Sequence, residues 1–473
     1  MSKNKKTDRR KFLKTMGSTS LLIGATPLMG LSTNQDIKEH FLFGNPRISA
    51  NDKIRIGAIG TGIMGHQNID SALKIPGIEL VAACDLYEGR LMRINEKYGK
   101  SIDTTRDYRE LLQRKDIDAV LISTADMWHA RIAMDAMDSG KHVYCEKPMV
   151  KLISEGLPVI EKHQATGKVL QVGSQLVSGL AVAKARELYQ AGEIGKLNCI
   201  EAAYDRQSAL GAWQYTLPTD ATPKTVDWDA FISGSSGNKN DEFDVTKFFR
   251  WRNYKEFGTG VAGDLFVHLL SSIHVILDSF GPSKIYSSGQ LSYWKDGRNV
   301  PDVMAAIMEY PEADTHPKFQ LTLRVNFASG KGPTNYVRFI GEEGVMELRG
   351  NSVTIDHSIM AEAPGIGGWD SLNTFTESMQ KELMDQYNGK YSESQKKRPT
   401  KEPIRYVAKK QDKHKDHFID FFEGIRKGTP VIEGPEFGFR ACAPCLLCND
   451  SYFGQKIMHW DPVNMKLINE TDV

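Results

Sequence analysis

The run KIRIGAI at 53–59 is rich in β-branched residues and breaks at once into Gly60-Thr61-Gly62-Ile63-Met64-Gly65. A strand that stops on G-x-G-x-x-G and reopens as a helix has few folds available to it. Gly60 permits the tight turn, Gly62 lets backbone N–H groups approach a pyrophosphate, and Gly65 allows the helix to pack closely on the strand. Ile63 and Met64 fall within the same loop, where a helix N-terminus favours an anion. At the end of the next apolar run, ELVAACD, stands Asp85. A carboxylate there accepts hydrogen bonds from an adenosine ribose diol and repels a 2′-phosphate, so the pattern predicts a dinucleotide site with NAD favoured over NADP.

The alternation continues down the chain. AVLIST (119–124), HVYCEK (142–147) and KVLQVG (168–173) read as further strands, with RLMRINEKYG, YRELLQRKD and ARIAMDAMDSG as helices between them. Such alternation implies a parallel sheet covered on both faces, so residues 53–174 are expected to form a doubly wound Rossmann domain. Beyond it come a helix-like segment at 180–193, the strand LNCIEAAYD and a loop-rich stretch to about 262. The long alternating runs KIYSSGQLSYW, DVMAAIMEYP, FQLTLRVNFASG and NYVRFIGEEGVMELRG follow without helices between them. They predict a mostly antiparallel open sheet, making 175–473 an α+β domain. Residues 365–412 are polar with little periodicity and read as an insertion on that domain. Helices are expected at KDHFIDFFEGIRKG and around 436–454.

Lys and Arg number 60 against 59 Asp and Glu, a formal net charge of +1, which leaves no basic excess to release counterions from nucleic acid. No apolar run beyond the N-terminus reaches the roughly 20 residues needed to span a bilayer. Residues 1–31 join a basic start (Lys3, Lys5, Lys6, Arg9, Arg10, Lys11) to the apolar run LLIGATPLMGL, the outline of an export signal. Arg9-Arg10 followed by Lys-Phe-Leu-Lys resembles the twin-arginine signal, whose machinery exports folded proteins. Residues 32–52 read as a linker, and the expected location is the periplasm. That space offers no free NAD pool, so the cofactor is expected to travel bound and to be restored at each turnover.

Two later stretches carry a wider resemblance. ISTADMWHARIAMDAMDSGKHVYCEKPM holds Glu146-Lys147-Pro148 after a buried strand, and GTGVAGDLFVHLLSSIH holds Asp264 and His268 in D-x-x-x-H spacing. With the phosphate loop, these resemble the glucose-fructose oxidoreductase, inositol dehydrogenase and MocA family over nearly all of residues 53–350. The resemblance implies a Rossmann domain followed by an open-faced sheet domain used for self-association, hence a homodimer or homotetramer. It implies that Lys147 is the catalytic lysine beside the nicotinamide, that Glu146 lines the cofactor site, and that His268 relays the substrate proton. Thr124 and His129 match the loop that lies along the cofactor.

Independently of the family, Asp264 and His268 are four apart, so on a helix they share a face. There the carboxylate can orient the imidazole and support its cation, giving a base tuned near neutral pH. Relatives usually carry D-x-G-x-H, whereas this chain has Phe266 before Val267 and His268, a departure expected to alter the fit around the substrate. His274 falls off the shared face and reads as structural. Gln175, Tyr204, Arg206, Trp251 and Arg252 are candidates for holding a sugar by hydrogen bonds and aromatic stacking.

Cys442, Cys445 and Cys448 form C-x-x-C-x-x-C, but Tyr452 stands where an iron–sulfur run would need its fourth thiolate. At i, i+3 and i+6 they read as a buried helix stripe, and Cys84, Cys145 and Cys199 as core residues, so no metal is expected. The expected activity is NAD-dependent oxidation of a carbohydrate or polyol hydroxyl. An NAD-dependent glycosidase working by transient C3 oxidation and elimination is the alternative, although relatives of that kind tend not to keep the E-K-P lysine. A cofactor-bound sensor without catalysis ranks third.

Overall fold

In the computed structural model, residues 53–235 and 241–468 are described; the expected leader and linker lie outside them. Six strands, β1 (Ile54–Ile59), β2 (Ile78–Cys84), β3 (Asp103–Thr105), β4 (Ala119–Ile122), β5 (His142–Glu146) and β6 (Leu170–Gly173), form one sheet in the order β3-β2-β1-β4-β5-β6. Every neighbouring pair is parallel. β1 and β4 are buried on both faces apart from Arg55. That double burial explains why they read as continuous apolar runs rather than alternating ones. The strand order reverses between β1 and β4, so the crevice beyond their C-terminal ends is where a ligand belongs in such a sheet. β3, the tripeptide Asp-Thr-Thr, carries no apolar period and gave no signal in the sequence.

The second sheet has ten strands: β7 (Leu197–Asp205), β8 (Lys284–Gln290), β9 (Val303–Tyr310), β10 (Phe319–Asn326), β11 (Thr334–Gly341), β12 (Gly344–Arg349), β13 (Ser352–His357), β14 (Ile404–Val407), β15 (Met458–Asp461) and β16 (Lys466–Ile468). Their order is β14-β13-β12-β11-β7-β10-β9-β8-β15-β16, antiparallel throughout except for β7 beside β10. β9 and β10 alternate buried and exposed residues along their length. One face therefore packs on the helices Leu180–Gln190, Val267–Leu277 and Pro435–Gly454, and the other stays open.

Two late helices tie the sheets together. Pro435–Gly454 packs on β8, on β6 and on the helix Ile153–Thr166, with Cys442, Cys445 and Cys448 all buried along it. Lys413–Lys427 returns to the Rossmann sheet, where Phe418, Phe421 and Phe422 join Tyr144, Ile54 and Ile56 in one buried cluster. A boundary at 174/175 thus divides the chain by sequence but not by packing. Within 365–412, expected to be irregular, Glu377–Lys390 forms a helix. Thr376 caps it by accepting the Met379 N–H, and Glu377 and Lys390 suit its two ends, but it buries no residue and so shows no apolar period. Among the described residues, no helix is long and apolar enough to cross a membrane.

Candidate active site

β1 ends at Gly60, whose φ is +85° and where a Cβ would lie 2.6 Å from the Ser123 carbonyl oxygen. A Cβ on Gly65 would meet the Gly60 oxygen at 2.1 Å, so this glycine serves the packing of helix on loop. The helix Ile63–Leu73 starts at Gly62 with neither a side-chain cap nor an acidic residue in its first turn. Its leading N–H groups are left for an anion. Asp85, 5 % exposed at the end of β2, accepts the N–H groups of Thr61 (2.8 Å) and Tyr87 (3.0 Å). Arg90 reaches within 3.4 Å of the same carboxylate and lies over the Phe249 ring. An anion-ready helix end, close-approach glycines and a carboxylate at the β2 end together fit a dinucleotide.

The stretch between β7 and Val261 covers the adenosine end of this cradle. Val226 bridges Tyr87, the Glu88 N–H donates to Thr225, the Asp227 N–H donates to Leu86, and the Tyr87 hydroxyl donates to Asp220. Phe249 meets Tyr87 edge-on at 5.1 Å between centroids. Phe231, Phe248 and Phe249 wall a cavity of about 520 Å³ that runs on past Thr124 to Lys147, Asp264 and His268.

At that far end β5 delivers Glu146 and Lys147. The Lys147 ammonium donates to the Asp264 carboxylate (2.8 Å) and to the Asp264 carbonyl (2.9 Å), while Arg252 Nε donates to the same carboxylate oxygen at 3.2 Å. Asp264 sits in a π-helical turn, Ala262–Phe266, that opens into the helix Val267–Leu277. Burial alone would raise its carboxyl, but the charges of Lys147, Arg252 and Arg206 overrule it and hold the group far below the usual carboxylate range. Glu146 is buried and accepts from Asn68 (3.0 Å) and Gln175 (2.9 Å); burial pushes its carboxyl up despite those bonds.

His268 corrects the sequence reading. The Asp264 carboxylate is engaged by Lys147 and Arg252, and His268 Nδ1 is buried with no hydrogen-bond partner. Burial first, then the Lys147 charge, push its pKa down to about 3 against a lift from Asp264, with Arg206 lowering it a little further. The resting imidazole is neutral rather than poised near neutral pH. His129 is a second correction: it lies 1 % exposed behind the wall, with its ring nitrogens against the Pro148 and Thr124 carbonyls, and it does not reach the cavity. It braces Thr124, which does.

Gly60, Gly62, Ile63, Met64, Asp85, Thr124, Glu146, Lys147, Gln175, Arg206, Trp251, Arg252, Asp264 and His268 all line the one cavity. Gly65 lies beneath it, and Tyr204 stands behind with its ring 6.0 Å from that of His268 and the Arg206 guanidinium over it. Gln175 spends its amide on Tyr144 and Glu146. His274 is buried away from the cavity, its Nε2 bonded to the Tyr310 hydroxyl. Sequence reasoning missed Arg90, Trp213, Tyr215 and the phenylalanines of the cover. Arg90 follows Asp85 by five residues and was within reach of the dinucleotide pattern; the others lie in a stretch without periodicity.

Residues 54–174 match the family model described as "Oxidoreductase family, NAD-binding Rossmann fold", and residues 233–455 match "Oxidoreductase family, C-terminal alpha/beta domain". Among curated proteins, inositol 2-dehydrogenase of Salmonella typhimurium is 28% identical over 175 residues, 37% of this chain and 50% of that one. An alpha-N-acetylgalactosaminidase of Shewanella oneidensis is 34% identical over 159 residues, 32% of this chain and 35% of that one. The chain thus spans half or less of the length of these relatives. Among solved structures, a levoglucosan dehydrogenase in complex with NADH and levoglucosan has a TM-score of 0.59 at 17% identity, covering 86% of this chain and 99% of that one. An aldose-aldose oxidoreductase from Caulobacter crescentus has a TM-score of 0.60 at 13% identity, again covering 86% and 99%. These two likenesses are of fold.

Proposed function

Since the chain belongs to this NAD-binding oxidoreductase family, we propose that it oxidises a hydroxyl of a carbohydrate or polyol with a tightly held NAD that is restored within each catalytic cycle. The observation that carries the reading is the Lys147–Asp264–Arg252 cluster beside His268, at the end of the cavity that begins on the phosphate loop. A bound nicotinamide supplies the hydride acceptor. Lys147, fixed by two bonds to Asp264, can donate to the substrate oxygen and stabilise the negative charge that grows as its proton leaves. His268, neutral at rest, has the lone pair that receives that proton. Asp85 favours a free ribose diol over a 2′-phosphate, which supports NAD over NADP.

Retention is supported by the cover over the adenosine end, bonded to Leu86, Tyr87 and Glu88. The basic and apolar leader supports export in the folded state, which a retained cofactor would make workable. The open face of the large sheet, with Tyr286 and Ile307 each 48 % exposed, supports a homodimer or homotetramer. Purifying the full chain without added cofactor, denaturing it and identifying the released nucleotide tests the reading. Stoichiometric NAD or NADH is expected, with Lys147→Ala abolishing sugar-dependent change in its redox state. Protein that carries and binds no nucleotide would refute it.

A second reading, transient oxidation followed by elimination of an aglycone, is favoured by the 34% identity to the galactosaminidase. Release of an aglycone with no net change in cofactor absorbance is its signature.

A further inference from the structure

The catalytic end of the cavity holds more positive charge than a neutral sugar calls for. Lys147, Arg252 and Arg206 all act on one carboxylate, Asp264, and all four side chains line the same space. Glu146, the other acid there, is buried and turned toward Asn68 and Gln175. Asp126, whose charge also reaches Arg252, is committed to the N–H and hydroxyl of Thr259 at 2.9 and 2.7 Å.

The two guanidiniums are held as forks with free tines. Arg252 gives only its Nε to Asp264 and sits over the Trp251 ring, its guanidinium carbon 4.1 Å from the centroid. Its terminal nitrogens have no partner among the described residues. Arg206 gives NH1 to the Gly211 carbonyl at 2.7 Å and is steadied between the Tyr204 and Phe327 rings, leaving Nε and NH2 without a partner among the described residues. Both arginines line the cavity. Both guanidiniums are steadied over aromatic rings and keep free N–H groups, a combination suited to a carboxylate. Hydroxyl groups would satisfy the N–H groups but add no negative charge to the single Asp264 carboxylate that Lys147, Arg206 and Arg252 share.

Resting on the oxidoreductase reading, we propose that the substrate is an acidic sugar, a uronate or sugar acid, whose carboxylate is held by Arg206 and Arg252 while Lys147 and His268 address the hydroxyl to be oxidised. The anion also answers the cationic field that weakens His268 as a base, so binding and base strength are coupled in one event.

The full chain with its resident cofactor is titrated calorimetrically with D-glucuronate, D-galacturonate and D-gluconate, and with the neutral partners D-glucose, D-galactose and D-glucitol. At least one acid is expected to bind tenfold or more tightly than its partner. That ratio, rather than overall binding, is expected to collapse in Arg206→Gln and to recover in part in Arg206→Lys. Neutral partners binding as well as the acids, no binding by any acid, or an unchanged ratio in Arg206→Gln would each overturn the proposal. Cofactor absorbance recorded on the same samples separates the two readings. Neutral sugars oxidised without preference for acids leave the oxidoreductase reading standing and remove this one. Acids that bind in the predicted ratio but never alter the cofactor leave the carboxylate site standing and remove the oxidoreductase reading, and with it the acid's role as substrate.

Discussion

Asp264→Asn tests the ion cluster at the centre of the site. The substitution keeps the shape of the side chain and one acceptor oxygen but removes the charge shared by Lys147 at 2.8 Å and Arg252 at 3.2 Å. The Lys147 side chain is 9% exposed and that of Arg252 23%, so both cations are left largely without water to replace the lost partner. Removing one member of a buried pair costs about 3–5 kcal/mol. The low end, about 3 kcal/mol, applies here, because asparagine still accepts one bond and Arg252 still reaches the cavity. Equilibrium urea unfolding at pH 7 measures the difference, and the cost is expected to fall by about half in a Lys147→Met background, where one orphaned cation is gone. The pH dependence supplies an independent sign. The folded Asp264 carboxyl lies below its unfolded value, so its contribution is complete above about pH 4 and declines as pH falls further, by about 1.4 kcal/mol per unit. Wild type and Asp264→Asn therefore converge in acid. A difference under about 1 kcal/mol at pH 7, or one that stays constant down to pH 3, would refute the reasoning.

Two further outcomes follow from side chains outside that cluster. Phe249 walls the adenosine end and supports Arg90, so Phe249→Ala is expected to speed release of bound NAD about tenfold, the equivalent of about 1.4 kcal/mol; exchange against labelled NAD measures it, and an unchanged rate would remove the cover from the account of retention. Glu433 is fully buried beside Ser271, with one carboxyl oxygen unpartnered, and burial raises its pKa to about 8. Its folded value lies above the unfolded one, so folding takes up a proton and wild type loses stability as pH rises from about 4.5 toward 8, by up to about 1.4 kcal/mol per unit. Glu433→Gln, which mimics the protonated acid, is expected to gain on wild type over that window; parallel stability curves from pH 5 to 8 would contradict the assignment.

What the sequence revealed, it revealed through period and chemistry acting locally. Gly60 was legible because a close backbone approach and a positive φ leave few alternatives to glycine, and Asp85 because it closes the strand that follows the phosphate loop. β1 and β4 were legible as apolar runs since both their faces are covered, and β9 and β10 as alternating ones since only one is. β3, β14 and β16 were not, because strands of three or four residues at a sheet edge are too short to show a period and owe their conformation to a neighbouring strand. The cover from β7 to Val261 escaped for a related reason. Val226, Phe231 and Phe249 are buried by tertiary contact with Tyr87 and the cavity, and no helical or strand period links them.

The site shows the same division. Spacing put Asp264 and His268 on one helix face, and both line the cavity, yet it could not say which neighbour the carboxylate would choose. Lys147 lies 117 residues away in sequence and Arg252 lies on a separate 3-10 turn, and both outcompete the imidazole because each brings a full charge where His268 brings a neutral ring. The consequence runs opposite to the sequence expectation: the acid meant to raise the histidine is neutralised by the cations that lower it. Burial first and positive charge second hold this base down, and an anion taken by the unpaired nitrogens of Arg206 and Arg252 would offset the second. On the acidic-sugar proposal, recognition of the substrate and activation of the base would be one electrostatic event, tying the choice of sugar to the chemistry performed on it.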